Sequence, residues 1–116
     1  MASGVRIPHW LAQARQILER DFCERLTTTQ IARAVGVHPV YLAQVFRQFF
    51  GVGVIEYLAQ QRVAFASREL RETAASIAEI ASAAGFYDQG HFARTFKRFT
   101  GLTPSEYRRR APRLKG

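Results

Sequence analysis

The sequence predicts an all-α fold of about seven helices, built as two helix-turn-helix lobes joined by a long linker helix. Three observations support this. A segment is written twice: IARAVGV begins at Ile31 and IASAAGF at Ile80. Phe46, Phe49, Gly51, Glu56 and Tyr57 then recur as Phe96, Phe99, Gly101, Glu106 and Tyr107. The offset is 49 up to Gly36/Gly85 and 50 afterwards, so the second copy carries one extra residue just after its glycine. Each copy is a helical apolar pattern, a glycine and a second helical pattern, the layout of a helix-turn-helix. Finally, apolar residues recur at three- and four-residue spacing throughout, the period of amphipathic helices.

The first helix is expected from Pro8, which suits a first turn, to about Arg25. Leu11, Ala14, Ile17, Leu18 and Phe22 supply its apolar spacing. Cys23 lacks a second cysteine or a helpfully spaced histidine and reads as a small core residue. Thr27 and Gln30 then form a T-x-x-Q capping box, and Ser76 and Glu79 form its counterpart in the second copy. Gly36 and Gly85 end these helices in a conformation that suits glycine, and Val37 and Phe86 plug each turn into the core. Pro39 opens the third helix. From Val54 to about Arg71 runs the linker helix, roughly 27 Å long at 1.5 Å per residue, a rigid spacer of the same order as the ~34 Å between successive major grooves. A last short helix starts at Thr103-Pro104-Ser105-Glu106, another capping box, and ends in Arg108-Arg109-Arg110.

A chain of 116 residues suits one compact unit with a modest or divided core. Its net charge is +8, which favours polyanionic partners. Residues 1–58 carry six basic against four acidic side chains, and residues 59–116 eleven against five. No apolar run approaches the roughly 20 residues of a membrane span, and the start lacks the apolar stretch of a signal peptide. A single cysteine makes the cytoplasm the default compartment. His9, His38 and His91 have no metal-ligand spacing and no carboxylate or cysteine cluster. The expectation is therefore no enzyme, no catalytic residues, no metal and no cofactor.

The third and sixth helices are expected to be the reading heads. In the third, Leu42, Val45, Phe46 and Phe49 form the inner stripe, opposite Val40, Ala43, Gln44 and Arg47. In the sixth, Phe92, Phe96 and Phe99 point inward. Gln89, Gly90, Ala93, Arg94 and Lys97 face out, with His91 at the edge. Small side chains permit close approach to a major groove; glutamine can pair bidentately with adenine and arginine with guanine. The alternative for such a face is plain solvation. Arg109, within the terminal basic run, could touch phosphate or belong to a solvated tail.

The stretch from Pro8 to Pro112 resembles the DNA-binding domain of the arabinose-operon regulator (AraC/XylS) family. The specific part is IAEIASAAGFYDQGHFARTFKRFTGLTPSEYRRR, with AAGF, DQ, HF, R-x-F-K-R, G-L-T-P and EYR at the family's spacing. The resemblance implies two homeodomain-like lobes, expected at 8–52 and 73–112, a linker helix at 53–72 and a basic tail at 113–116. It also implies sequence-specific binding of double-stranded DNA by a bacterial transcription regulator, most often an activator that works with RNA polymerase. The family's base-reading positions fall on Val40, Ala43 and Gln44, and on Gln89, Gly90, His91 and Arg94.

Some residues depart from the family pattern. His38 and Tyr87 stand where a capping serine is usual, so both reading helices are expected to start less firmly, with Asp88 a substitute cap. Gly53-Val54 replaces Thr/Ser-Pro, and Gly90 a serine. Most members carry a further sensing or dimerising domain. The chain is read as such a domain excised, monomeric alone and dimeric through the missing part; a free-standing short regulator is the alternative. A helical protein-interaction module and a nonspecific DNA binder are the rival functions.

Overall fold

The computed structural model describes residues 6–111. Within them lie seven helices and no strand: α1 (His9–Arg20), α2 (Thr28–Val35), α3 (Pro39–Phe50), α4 (Val54–Glu72), α5 (Ile77–Ala83), α6 (Gln89–Thr100) and α7 (Pro104–Arg110). The all-α expectation holds. The chain divides between Leu58 and Ala59 into two compact units. The expected lobe end at 112 and tail at 113–116 lie outside the described residues.

In the first unit α1 buries Leu11, Ala14 and Leu18, one stripe at three- and four-residue spacing. They pack with Ile31 and Ala32 of α2, with Leu42, Val45 and Phe46 of α3, and with Val54 and Leu58 from the first turns of α4. Phe46 is fully buried, with its ring edge-on to Phe50 and Tyr57 at centroid distances of 4.6 and 5.5 Å, the arrangement the ring quadrupole favours. The Tyr57 hydroxyl donates to the Glu19 carboxylate of α1.

The second unit repeats this plan. Val63, Ala66 and Leu70, from the later turns of α4, pack with Ile80 and Ala81 of α5 and with Phe92 and Phe96 of α6. Their spacing is that of Leu11, Ala14 and Leu18, displaced by 52 residues. α7 closes this unit as the start of α4 closes the first: Pro104 is buried, and the Tyr107 ring stands edge-on to Phe96 at 5.2 Å. The Arg71 guanidinium, 52 residues after Glu19, donates to the Tyr107 hydroxyl at 2.8 Å. α4 is therefore more than the expected spacer. Its first turns match α7 and its later turns match α1, so both cores draw on it.

Two expectations for α1 are corrected. The helix stops at Arg20 rather than Arg25. Asp21 leaves helical geometry, and its carboxylate takes two bonds from the neighbouring Arg20 guanidinium, at 3.0 and 2.8 Å. The turn that follows lets Phe22 and Leu26 both pack on the core. The same turn leaves Cys23 exposed rather than buried, because its side-chain direction no longer follows the helical period.

Burial, and then the bond to Glu19, push the Tyr57 hydroxyl up to about 12. A tyrosine that holds its proton more tightly when folded stabilises fully below its ordinary value near 10, and that contribution disappears as pH rises through about 12. Tyr57→Phe should lower stability by roughly 0.5–1.5 kcal/mol at pH 8, and by progressively less between pH 10 and 12. Urea midpoints across that range check this; an equal loss at every pH would contradict it. Phe46→Ala and Phe96→Ala should each cost about 3–5 kcal/mol, measured by circular-dichroism melts.

Candidate nucleic-acid interface

The reading helices are aimed by the turns before them. Gly36 N–H donates to Arg33 O at 3.3 Å and Val37 N–H to Ala32 O at 3.0 Å. In the second unit Gly85 N–H donates to Ser82 O at 3.1 Å and Phe86 N–H to Ala81 O at 3.0 Å. This paired pattern is a Schellman motif, which requires a left-handed residue at the glycine. The φ values are 79° for Gly36 and 94° for Gly85. Val37 and Phe86 then pack on their respective cores.

Both α3 and α6 are capped: Asp88 takes the expected place in α6, and the cap on α3 corrects the expectation of a loosely fixed start there. His38 Nδ1 accepts from Val40 N–H at 3.1 Å, with Pro39 at the first helical position. In α6 the cap is Asp88, whose carboxylate accepts from His91 N–H at 2.7 Å. Asp88 matches His38 at offset 50, so Tyr87, 72% exposed, is the inserted residue.

On α3, Leu42, Val45 and Phe46 are buried while Val40, Ala43, Gln44 and Arg47 are all exposed. Val40 stands 59% exposed, a large apolar side chain on the outward face. The Arg47 guanidinium lies over Gly53, with Nη2 2.7 Å from where a Cβ there would sit. Gly53 thus makes room that a threonine or serine would fill.

On α6, Phe92 and Phe96 are buried and Phe99 half-buried, while Gln89, Gly90, Arg94 and Lys97 are exposed and Ala93 is half-exposed. The Arg94 side chain lies back along the helix over Gly90, with Nη1 3.1 Å from the position of a Cβ there and Asp88 Oδ1 3.4 Å from the same point. Arg94 forms no ion pair among the described residues. His91 is half-buried between Phe86 and Tyr87, at ring-centroid distances of 5.3 and 5.5 Å, and its Nδ1 is buried without a hydrogen-bond partner.

The terminal arginines differ among themselves. Arg108 Nε donates to Leu70 O at 3.2 Å and its Nη2 to Thr73 O at 3.1 Å, sealing the end of α4. Sequence periodicity gave no sign of this role. Arg109 is exposed. Glu106 completes the α7 capping box, and acceptance from the Thr103 backbone and hydroxyl, with Lys97 and Arg110 nearby, holds its carboxyl below the usual range. Among the described residues no group of three His, Cys, Asp or Glu could hold a metal ion, and no helix is long and apolar enough to cross a membrane.

Comparison with known proteins agrees with this geometry. A family profile described as a helix-turn-helix domain matches residues 31–110. A putative AraC-like transcription regulator of Streptomyces antibioticus is 34% identical over 99 residues, covering 85% of this chain and 33% of the relative. The chain spans a similar share, 34%, of the HTH-type transcriptional regulator YijO of Escherichia coli. The C-terminal domain of AraT, a response regulator from Geobacillus stearothermophilus, superposes with a TM-score of 0.89 at 31% identity, over 96% of this chain and 92% of that one. The DNA-binding domain of AdpA, solved with a target DNA, has a TM-score of 0.82 at 25% identity, over 85% and 89%.

The cap geometry makes a direct prediction. His38→Ala should cost about 1 kcal/mol, and His38→Asn should restore most of it, read as thermal midpoints at neutral pH. Equal midpoints for wild type and His38→Ala would contradict the cap. Two glycine turns of one design, two capped helices with buried backs and exposed fronts, and matching relatives lead to one conclusion: the chain belongs to the AraC-type helix-turn-helix family of DNA-binding transcription regulators.

Proposed function

We propose that this domain reads an asymmetric duplex site of about two helical turns, with α3 and α6 in successive major grooves and two recognised patches about 10 base pairs apart. The observation that carries the reading is the pair of exposed faces, each on a capped helix after the same turn. α4 runs unbroken from Val54 to Glu72 between the two motifs. Val40, Ala43 and Gln44 take the first patch, partly by apolar contact with thymine methyls. Gln89, Gly90, His91 and Arg94 take the second, and Arg47, Lys97 and Arg109 contact phosphate.

In this proposal the domain acts as a monomer within a longer cytoplasmic regulator. A further domain senses an effector and dimerises, and the DNA-bound protein activates transcription through RNA polymerase. The relatives' greater length supports the further domain. The domain itself binds DNA without catalysing a reaction, in keeping with the transcription-regulator family to which it belongs.

Selection of bound duplexes from a random library tests specificity. It should yield two patches, with more information under the second unit. Inserting five base pairs between them should abolish tight binding; retained affinity would mean that one helix alone is used. Arg94→Ala should cost about 1–3 kcal/mol and relax one base position, whereas Lys97→Ala should weaken all sequences alike and reduce the salt slope by about one. Titrations against single-base variants distinguish the two; a uniform loss for Arg94→Ala would make it a backbone contact.

A further inference from the structure

We propose that Tyr41 is a DNA-backbone contact of the first unit, a neutral phosphate donor held in place by Trp10. This rests on α3 being the reading helix. At 100° per residue, Tyr41 lies on the flank of α3, between the outward row of Val40 and Gln44 and the buried row of Leu42 and Phe46. A helix seated in a major groove about 12 Å wide presents such a flank to the sugar-phosphate wall. Tyr41 is 51% exposed despite its large ring, and its hydroxyl has no hydrogen-bond partner among the described residues. The ring is not loose: the half-buried Trp10 of α1 stacks against it, with centroids 5.5 Å apart and planes tilted by 35°. A tyrosine with its ring fixed loses little further freedom when its hydroxyl meets an acceptor.

The two units differ along this flank. At offset 50 Tyr41 matches His91, and Gln48, two turns further along the same flank, matches Arg98. At the second of these positions the second unit carries an arginine where the first carries an amide. Residues 1–58 are also the nearly neutral half of the chain. A lobe poor in positive charge can still grip phosphate through neutral hydroxyl donors. Because a neutral donor displaces no condensed counterion, its contribution leaves the salt slope unchanged.

The test is Tyr41→Phe, which keeps the stack on Trp10 and removes only the hydroxyl. Wild type and variant are titrated with the selected duplex and its single-base variants from 50 to 200 mM salt, with thermal midpoints alongside. The expected result is a loss of about ten-fold or more, the size of one hydrogen bond to a charged acceptor. That loss should be equal for every duplex, with the salt slope and the midpoint unchanged. Unchanged affinity would overturn the proposal and leave the Trp10–Tyr41 pair a structural stack or a protein-docking surface. A loss confined to one base position would also overturn it, by making Tyr41 a base reader. If wild type selects no duplex at all, the reading-helix assignment fails and this proposal falls with it, an outcome distinct from a wild type that binds and a variant that binds equally well.

Discussion

The left-handed glycine turn is the constraint on which the functional geometry depends. Two backbone bonds across each turn, from Gly36 and Val37 and again from Gly85 and Phe86, end one helix and fix the exit direction of the chain. A side chain at either glycine would have to adopt a positive φ that L-residues disfavour. Once the direction is set, Val37 or Phe86 enters the core, and the next helix begins with its phenylalanines facing that core. The opposite face is then left to solvent because the periodicity of the helix puts it there. The exposure of the fronts of α3 and α6 is a consequence of burying Phe46 and Phe92.

Each unit is then closed by a tyrosine. Tyr57 and Tyr107 both stand edge-on to the central phenylalanine, and each hydroxyl bonds to a residue at the same place on the first helix of its unit. The polarity is reversed: Tyr57 donates to Glu19, whereas Arg71 donates to Tyr107. A phenol serves in either sense because it is both donor and acceptor. The partner could therefore change from acid to base without altering the packing. One helix, α4, provides the closing turns of the first unit and the opening helix of the second, which explains why two small cores need only seven helices.

On this shared skeleton the two fronts have diverged. An apolar Val40 and a Gln44 face out from α3, where Gly90 and Arg94 face out from α6. Each arginine of the fronts lies over a glycine, Arg47 over Gly53 and Arg94 over Gly90, and a β-carbon there would crowd its guanidinium. The glycines that depart from the family pattern thus shape the resting position of the charged groups. The inserted Tyr87 moves the capping role onto Asp88, and the first unit makes its cap from His38.

The all-α class, the two motifs, the capping boxes at Thr27, Ser76 and Thr103, and the exposed rows of both reading helices were legible in the sequence. Each is written by local rules, a 3.6-residue period or a three-residue cap, that need no partner from elsewhere in the chain. Three features were decided only by tertiary structure, and a fourth, the His38 cap, is local but visible only in the structure. α1 stops at Arg20 because the following turn lets Phe22 and Leu26 reach the core, and Cys23 is exposed in consequence. His38 caps α3 because its imidazole turns back onto Val40 N–H, a geometry that no spacing rule for serine or aspartate anticipates. Arg108 leaves the basic run to bond two carbonyls at the end of α4, 38 and 35 residues away. The equivalence of α1 with the later turns of α4 was hidden because its offset is 52 and most side chains outside the buried stripe differ. Only burial at the same place in each of the two cores identifies Leu11, Ala14 and Leu18 with Val63, Ala66 and Leu70. Local sequence sets helix period, cap and turn; which side chain fills a gap is set by the surfaces that meet there, and those come from distant parts of the chain.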